Sequence, residues 1–349
     1  EANQIRERER AGRGLTRPEL AVLMAYAKLI LHEQLMANDM LDDPYLDREL
    51  RRYFPAAMTA RFSKEITGHR LRRDIIATML ANSAINRLGP SFPERLCEET
   101  GSGAASFTRA FLLARDCFGF TALNDHIDAL AGSIVPEALI AAQLELQLFI
   151  RRATVWFLRN EDTAGGLGQL AESYGSGITG IATMLADVLP ETYRARLTAR
   201  TAKLTAAGFG PKEARALAAL RYLQRAPDIV QAAAQTGRDM ASVARVLYAS
   251  SAELGIDRLV GQAARMPAPE FYDRLAVNRT IDQIFRSHRA IVVSAVAMGD
   301  GPEAWTSWTA SHADGLAKTE SAIADLASGP ITLARLMVAA SELQELATR

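Results

Sequence analysis

The chain has 349 residues, with 49% hydrophobic and 23% charged side chains, which is enough to bury a sizeable core in each of two or three domains and unlike a disordered chain. Its 40 basic residues balance 40 acidic ones, and a zero formal net charge excludes charge-driven attraction to nucleic acid or to an anionic membrane. The 2 cysteines, Cys97 and Cys117, have no neighbours at metal-ligand spacing, which excludes a disulfide framework or zinc site and points to a reducing compartment.

Taken in chain order, the elements read as helices. The charged run Glu1 to Arg10 resembles the middle of a helix and lacks an initiator methionine, as either processing or excision from a longer polypeptide would leave it. Thr16 and Glu19 have capping-box spacing with Pro18 in the first turn. Leu20, Leu23, Ala27, Ile30 and Leu31 then form one stripe. In the helix Arg70 to Leu88, Leu71, Ile75 and Met79 define a face that Asn82 and Asn86 continue. The basic residues Arg70, Arg72 and Arg73, answered by Asp74, fall on the other, solvated side. Gly89 and Pro90 stop that helix, and Ser91 with Glu94 repeats the capping-box signal for the next.

From Pro136 to Arg159, Leu139, Ala142, Leu146, Phe149, Ala153 and Trp156 follow steps of three and four. Ile140, Leu144, Leu148, Ile150, Val155, Phe157 and Leu158 widen that stripe. A helix apolar over so much of its circumference is packed on several sides, and at ~36 Å it is long enough to act as a central strut. The segment Asn160 to Gly168 reads as a flexible break. Further stops or starts at Gly101, Pro190, Gly210-Pro211, Pro227, Gly237, Pro267, Gly301-Pro302 and Gly329-Pro330 divide the chain into roughly fifteen helices. The one strand candidate, Ile291-Val292-Val293, has helical periodicity on both sides and is assigned to helix.

No residue emerges as catalytic, cofactor-binding or metal-ligating. Gly175-Ser176-Gly177-Ile178-Thr179-Gly180 matches G-x-G-x-x-G, and Gly166 to Ala171 matches its variant ending in alanine. That motif cradles a pyrophosphate only where it joins a strand to a helix, and no strand pattern precedes either run. The acidic residue the motif needs about twenty positions on would be Asp187 or Glu191. The glycines are therefore expected to permit tight turns and close helix packing. The 5 histidines, His32, His69, His126, His288 and His312, are scattered; His32-Glu33 opens like a zincin motif, but Met36 stands where the second histidine belongs. Cys97 and Cys117 lie among apolar neighbours and read as core thiols. The longest uncharged stretches, Ser173 to Ala186 and Ala290 to Gly299, fall short of the ~20 apolar residues a bilayer requires.

Four longer stretches carry a resemblance: GLTRPELAVLMAYAK (Gly14 to Lys28), DDPYLDRELRRYFP (Asp42 to Pro55), HRLRRDIIATMLANSAINRLG (His69 to Gly89) and EETGSGAASFTRAFLLARDCFG (Glu98 to Gly119). In that order they resemble the segments that follow the catalytic domain in the large bacterial NAD-specific glutamate dehydrogenases. Weaker likeness continues through RRATVWFLRN, TGRDMASVARVLY and FYDRLAVNRTIDQIFRSHRA. The resemblance implies a parent enzyme that oxidatively deaminates L-glutamate to 2-oxoglutarate and ammonia with NAD. Its catalytic lysines, aspartate and nucleotide site would belong to the preceding domain. Lys212, the one lysine near glycines (GFGPKE), sits at a helix start and matches none of them.

The expected fold is all-α, a multi-helix irregular bundle with little or no β-structure. Its N-terminal helical subdomain is placed at 1–134, and a C-terminal bundle at 135–349 is built around helix 136–159. The expected role is a non-catalytic, cytoplasmic region, inactive alone and binding no cofactor itself. It would support its own dehydrogenase domain and the other subunits of a homo-oligomer, without nucleic acid or membrane. Two other readings are a stand-alone helical module that binds a protein or effector, and a helical enzyme with a tertiary-assembled site.

Overall fold

The computed structural model describes residues 2–161, 166–268 and 270–348. Among these residues it contains twenty α-helices, two short 3-10 helices and no strand. Residues Ile291 to Val293 lie inside the Phe271–Ala297 helix. The excess over the expected fifteen comes from short helices such as Asp47–Tyr53, Ala56–Arg61 and Ser63–Thr67, each too brief to show an apolar period. Part of the expected break, residues 162–165, lies outside the described residues.

The chain divides into two compact units, one of Glu1–Ala131 and Pro136–Gly175, the other of Gly132–Val135 and Ser176–Arg349. The division thus falls after residue 175 and not at 134. The long Pro136–Asn160 helix packs on Ala104–Cys117, Phe120–Asp128 and Arg72–Leu88, within the first unit. Chain order alone put it at the centre of a C-terminal bundle, but the turn at Pro136 folds it back onto helices that precede it. Ring packing of Phe118 on Phe149, centroids 4.8 Å apart, shows the fit.

In the first unit, Arg72–Leu88 lies against Arg17–Met36, and Leu35, Met40, Leu50, Ile76, Leu80 and Phe111 are fully buried. The Arg17–Met36 helix starts where expected: Glu19 accepts hydrogen bonds from both Thr16 N and Thr16 Oγ1 at 2.7 Å. Ser91 also precedes a helix, Phe92–Thr100, but its side chain makes no cap hydrogen bond. Gly89 ends Arg72–Leu88 at φ +85°, and a β-carbon there would lie 3.2 Å from the Arg151 guanidinium. That guanidinium caps the helix, Arg151 Nε donating to Leu88 O at 3.0 Å.

Three expectations for the first unit are corrected. The Arg72–Leu88 helix buries Ile75, as expected, together with Ile76, Ala77, Leu80, Ala81, Ala84, Ile85 and Leu88. Leu71, expected in the core, is 56% exposed, because it precedes the first helical residue; Asn86 is exposed and Met79 and Asn82 half-buried. The apolar face is wide, and the expected stripe traced one edge of it. Arg72 and Arg73 are likewise not merely solvated. Arg72 donates to Asp47 Oδ1 at 2.7 Å and to Leu41 O at 2.7 Å, and Arg73 donates to Asn38 O at 2.8 Å while pairing with Asp42. They tie the turn after Arg17–Met36 to the start of the next long helix. Likewise, of the stripe expected on Arg17–Met36, only Leu31 is buried, joined by Leu35; Leu20 and Ile30 are exposed.

In the second unit, Phe271–Ala297 runs beside Leu333–Thr348, and Met240–Glu253 packs on Gly301–Ser311 and Phe271–Ala297. Leu217, Ile229, Leu247, Ile284, Ile291 and Leu336 are fully buried. A tyrosine ladder fastens three helices: Tyr248 donates to Tyr222 O at 3.0 Å, and Tyr222 donates to Tyr193 O at 3.1 Å. Trp305, Trp308 and His312 stack along one helix face, and Trp305 Nε1 donates to Glu253 at 2.6 Å.

Candidate functional site

Among the described residues, each unit contains a buried cluster of charged and polar side chains. In the first unit, Glu49 and Arg115 come from Asp47–Tyr53 and Ala104–Cys117 and are almost fully buried. Arg115 grips Glu49 through two nitrogens at 2.6 and 3.2 Å, and its Nε donates to Asp116 at 2.8 Å. Asp116 also accepts from Tyr45 at 2.8 Å and pairs with Arg48 at 3.1 Å. Burial and then the Asp116 charge push the Tyr45 phenol above its ordinary range, so it stays a donor. Glu49 and Asp116 each have two or more cationic or hydroxyl partners, as buried charge requires. No single-residue sequence signal marks this cluster, since its two halves, Tyr45 to Glu49 and Arg115-Asp116, lie 66 residues apart at the Glu49–Arg115 pair.

In the second unit the cluster is more suggestive, because it brings a serine, a histidine and an aspartate together. Ser250 comes from Met240–Glu253, His288 and Arg289 from Phe271–Ala297, and Arg225 and Asp228 from the start of Ala226–Thr236. Ser250 Oγ is 2.8 Å from His288 Nε2, and both residues are fully buried. Arg225 Nη2 is 3.3 Å from His288 Nδ1, and Asp228 binds Arg225 at 2.7 Å and Arg289 at 2.8 Å.

The proton assignment decides what this arrangement can do. A guanidinium only donates, so His288 Nδ1 is the acceptor and the ring proton sits on Nε2. His288 therefore donates to Ser250, whose hydroxyl donates onward to Val246 O at 2.7 Å. A nucleophilic serine needs the opposite: an Nε2 lone pair to take its proton and a carboxylate on Nδ1. Here an arginine stands where that carboxylate belongs. Burial first, and Arg225 second, hold His288 well below the usual histidine range. The cluster is a neutral-histidine brace joining three helices. Arg225 completes it by lying over the Phe285 ring, 4.3 Å from its centroid.

The remaining sequence candidates are dispersed. Gly175 to Gly180 lie inside the Leu167–Val188 helix, whose amides are engaged in helical hydrogen bonds. A β-carbon on Gly177 would come within 2.6 Å of Val230 Cγ2, so this glycine serves close helix packing as expected. A pyrophosphate needs free amides and open space where Val230 stands, and these residues do not fit NAD. Lys212 is exposed in the first turn of Pro211–Leu223. Among the described residues no group of three or more His, Cys, Asp or Glu side chains could hold a metal ion. Cys97 is pushed up to about 11 by burial and then Glu94, and Cys117 up to about 12 by burial and then Asp116. Both are held as thiols, the weakly reactive form.

The described residues form an all-helical region fastened by buried ion and hydrogen-bond networks. Residues 12–345 match the family described as "Glutamate dehydrogenase, C-terminal", and the chain belongs to it. It is 32% identical over 300 residues to an NAD-specific glutamate dehydrogenase of Pseudomonas aeruginosa, covering 86% of this chain and 18% of that protein. The NAD-specific glutamate dehydrogenase of Halomonas elongata is 32% identical over 309 residues, with the same coverage of each. That of Mycobacterium tuberculosis is 28% identical over 349 residues, covering 98% of this chain and 21% of that protein. The chain thus spans about a fifth of the length of the curated relatives it matches.

Proposed function

We propose that this chain is a non-catalytic helical region of an NAD-dependent glutamate dehydrogenase that converts L-glutamate to 2-oxoglutarate and ammonia. It supports the stability, assembly or regulation of a cytoplasmic homo-oligomer whose nucleotide and substrate sites lie in other parts of the polypeptide. The family match over residues 12–345, set beside relatives about five times as long, carries the reading. Its buried polar groups support it, since each cluster joins helices and points no reactive atom outward. Among the described residues no helix is long and apolar enough to cross a membrane.

The test uses the full-length dehydrogenase, the enzyme lacking this region, and the region alone. The region alone is expected to bind no NAD by titration calorimetry and to form no NADH from glutamate. The truncated enzyme is expected to lose activity or assembly and to regain it when the region is co-expressed in trans. Saturable micromolar NAD binding by the region alone, or full activity and assembly without it, would overturn the reading.

A further inference from the structure

The Pro136–Asn160 helix carries two apolar faces, and the structure covers only one of them. Ala142, Leu146, Phe149, Ile150, Ala153 and Phe157 are buried against neighbouring helices. Across the helix axis, Ile140, Leu144 and Leu148 follow at four-residue steps and are 55%, 54% and 50% exposed. Steps of four keep a row on one side of a helix, so these three form a contiguous aliphatic ridge. A helix apolar on opposite sides is built to lie between two layers, and an uncharged ridge left in water marks an interaction surface. The Arg17–Met36 helix repeats the pattern in the same unit. Of its 20 residues only Leu31 and Leu35 are buried, while Tyr26, Leu29 and Ile30 stand exposed.

We propose that the Ile140–Leu144–Leu148 ridge is the surface on which the dehydrogenase portion of the longer polypeptide docks. This rests on the reading of the chain as an accessory region of that enzyme. The relatives place about four-fifths of their length outside the segment shared with this chain. A region fastened to so much additional protein must present it a packing face. The ridge offers aliphatic area without charge, which suits the apolar face of a folded domain and offers nothing to an anionic or nucleic-acid ligand.

Photocrosslinking in the full-length enzyme tests this, with Leu144 replaced by benzoylphenylalanine and the linked peptides identified by mass spectrometry. Links to peptides of the dehydrogenase portion are the expected result. Links confined to these 349 residues, in the same copy or a second one, or no links at all, would overturn the docking surface. As a second measurement, Leu144→Asp is expected to lower activity or the assembled fraction at least tenfold, with Leu144→Met leaving both within twofold. Wild-type activity and assembly in Leu144→Asp would also overturn it. An active full-length enzyme with links only inside this region rejects the docking surface and leaves the accessory role standing. A gene product that contains no dehydrogenase portion rejects both.

Discussion

Acidifying the chain through the pH range where free histidine titrates should expose the brace around His288. Its ordinary value is 6.5, and in the fold burial and Arg225 hold it well below that. Between 6.5 and the lowered folded value, the unfolded chain binds a proton that the folded chain refuses. Stability from this group is therefore fully present above pH 6.5 and is lost as pH falls below it, by about 1.4 kcal/mol per pH unit. Each pH unit inside that window therefore takes a noticeable part of a typical domain's margin. Protonation at Nδ1 would place a second positive charge against Arg225 Nη2, now 3.3 Å away, with neither partner able to accept. The control is His288→Gln, whose amide can still donate toward Ser250 and accept from Arg225 without titrating. Denaturant melts of both proteins at pH 7.5, 6.5, 5.5 and 5.0 give the difference in slope. Parallel curves for wild type and His288→Gln would refute the reasoning, because they would mean that His288 takes up its proton equally in both states.

Further predictions concern packing, pairing and reactivity. Ile76→Ala, at a fully buried position, is expected to cost about 2–5 kcal/mol, whereas Leu71→Ala, at an exposed one, is expected to stay within about 0.5 kcal/mol, both read from denaturant midpoints. Arg72→Ala removes the hydrogen bonds to Asp47 and Leu41 O and is expected to cost about 1–2 kcal/mol, since the site is only partly shielded from water; a neutral result in the same melts would return Arg72 to the solvated face. Cys117 should react with a thiol reagent at pH 8 far more slowly than free cysteine, because its thiol is pushed up to about 12 and is buried. Rapid labelling of the folded chain would contradict that environment.

Local chemistry made much of this molecule legible from its sequence. Helix type followed from apolar period, and helix ends followed from residues with fixed backbone preferences. Thr16 and Glu19 open one helix, and Gly89, Gly101 and Gly237 close others at positive φ. The absence of a strand before Gly175 was also readable, and Gly177 of that run serves close helix packing. The family could be recognised because several long segments match in order, which no single motif provides.

What tertiary structure alone decided was which side of each helix faces the core and which distant charges meet. A helix with a broad apolar surface has several candidate stripes, and only its neighbours choose among them. Arg72–Leu88 thus turned the Ile76–Leu80–Ala84–Leu88 row inward beside Ile75, while Leu71 of the expected stripe stayed exposed. The place of the Pro136–Asn160 helix was set the same way, by the shape of helices that precede it. Ser250 and His288 lie 38 residues apart, and Glu49 and Arg115 lie 66 apart. Such pairings leave no local trace, because hydrogen bonds and ion pairs act over a few ångströms in space and carry no period along the chain.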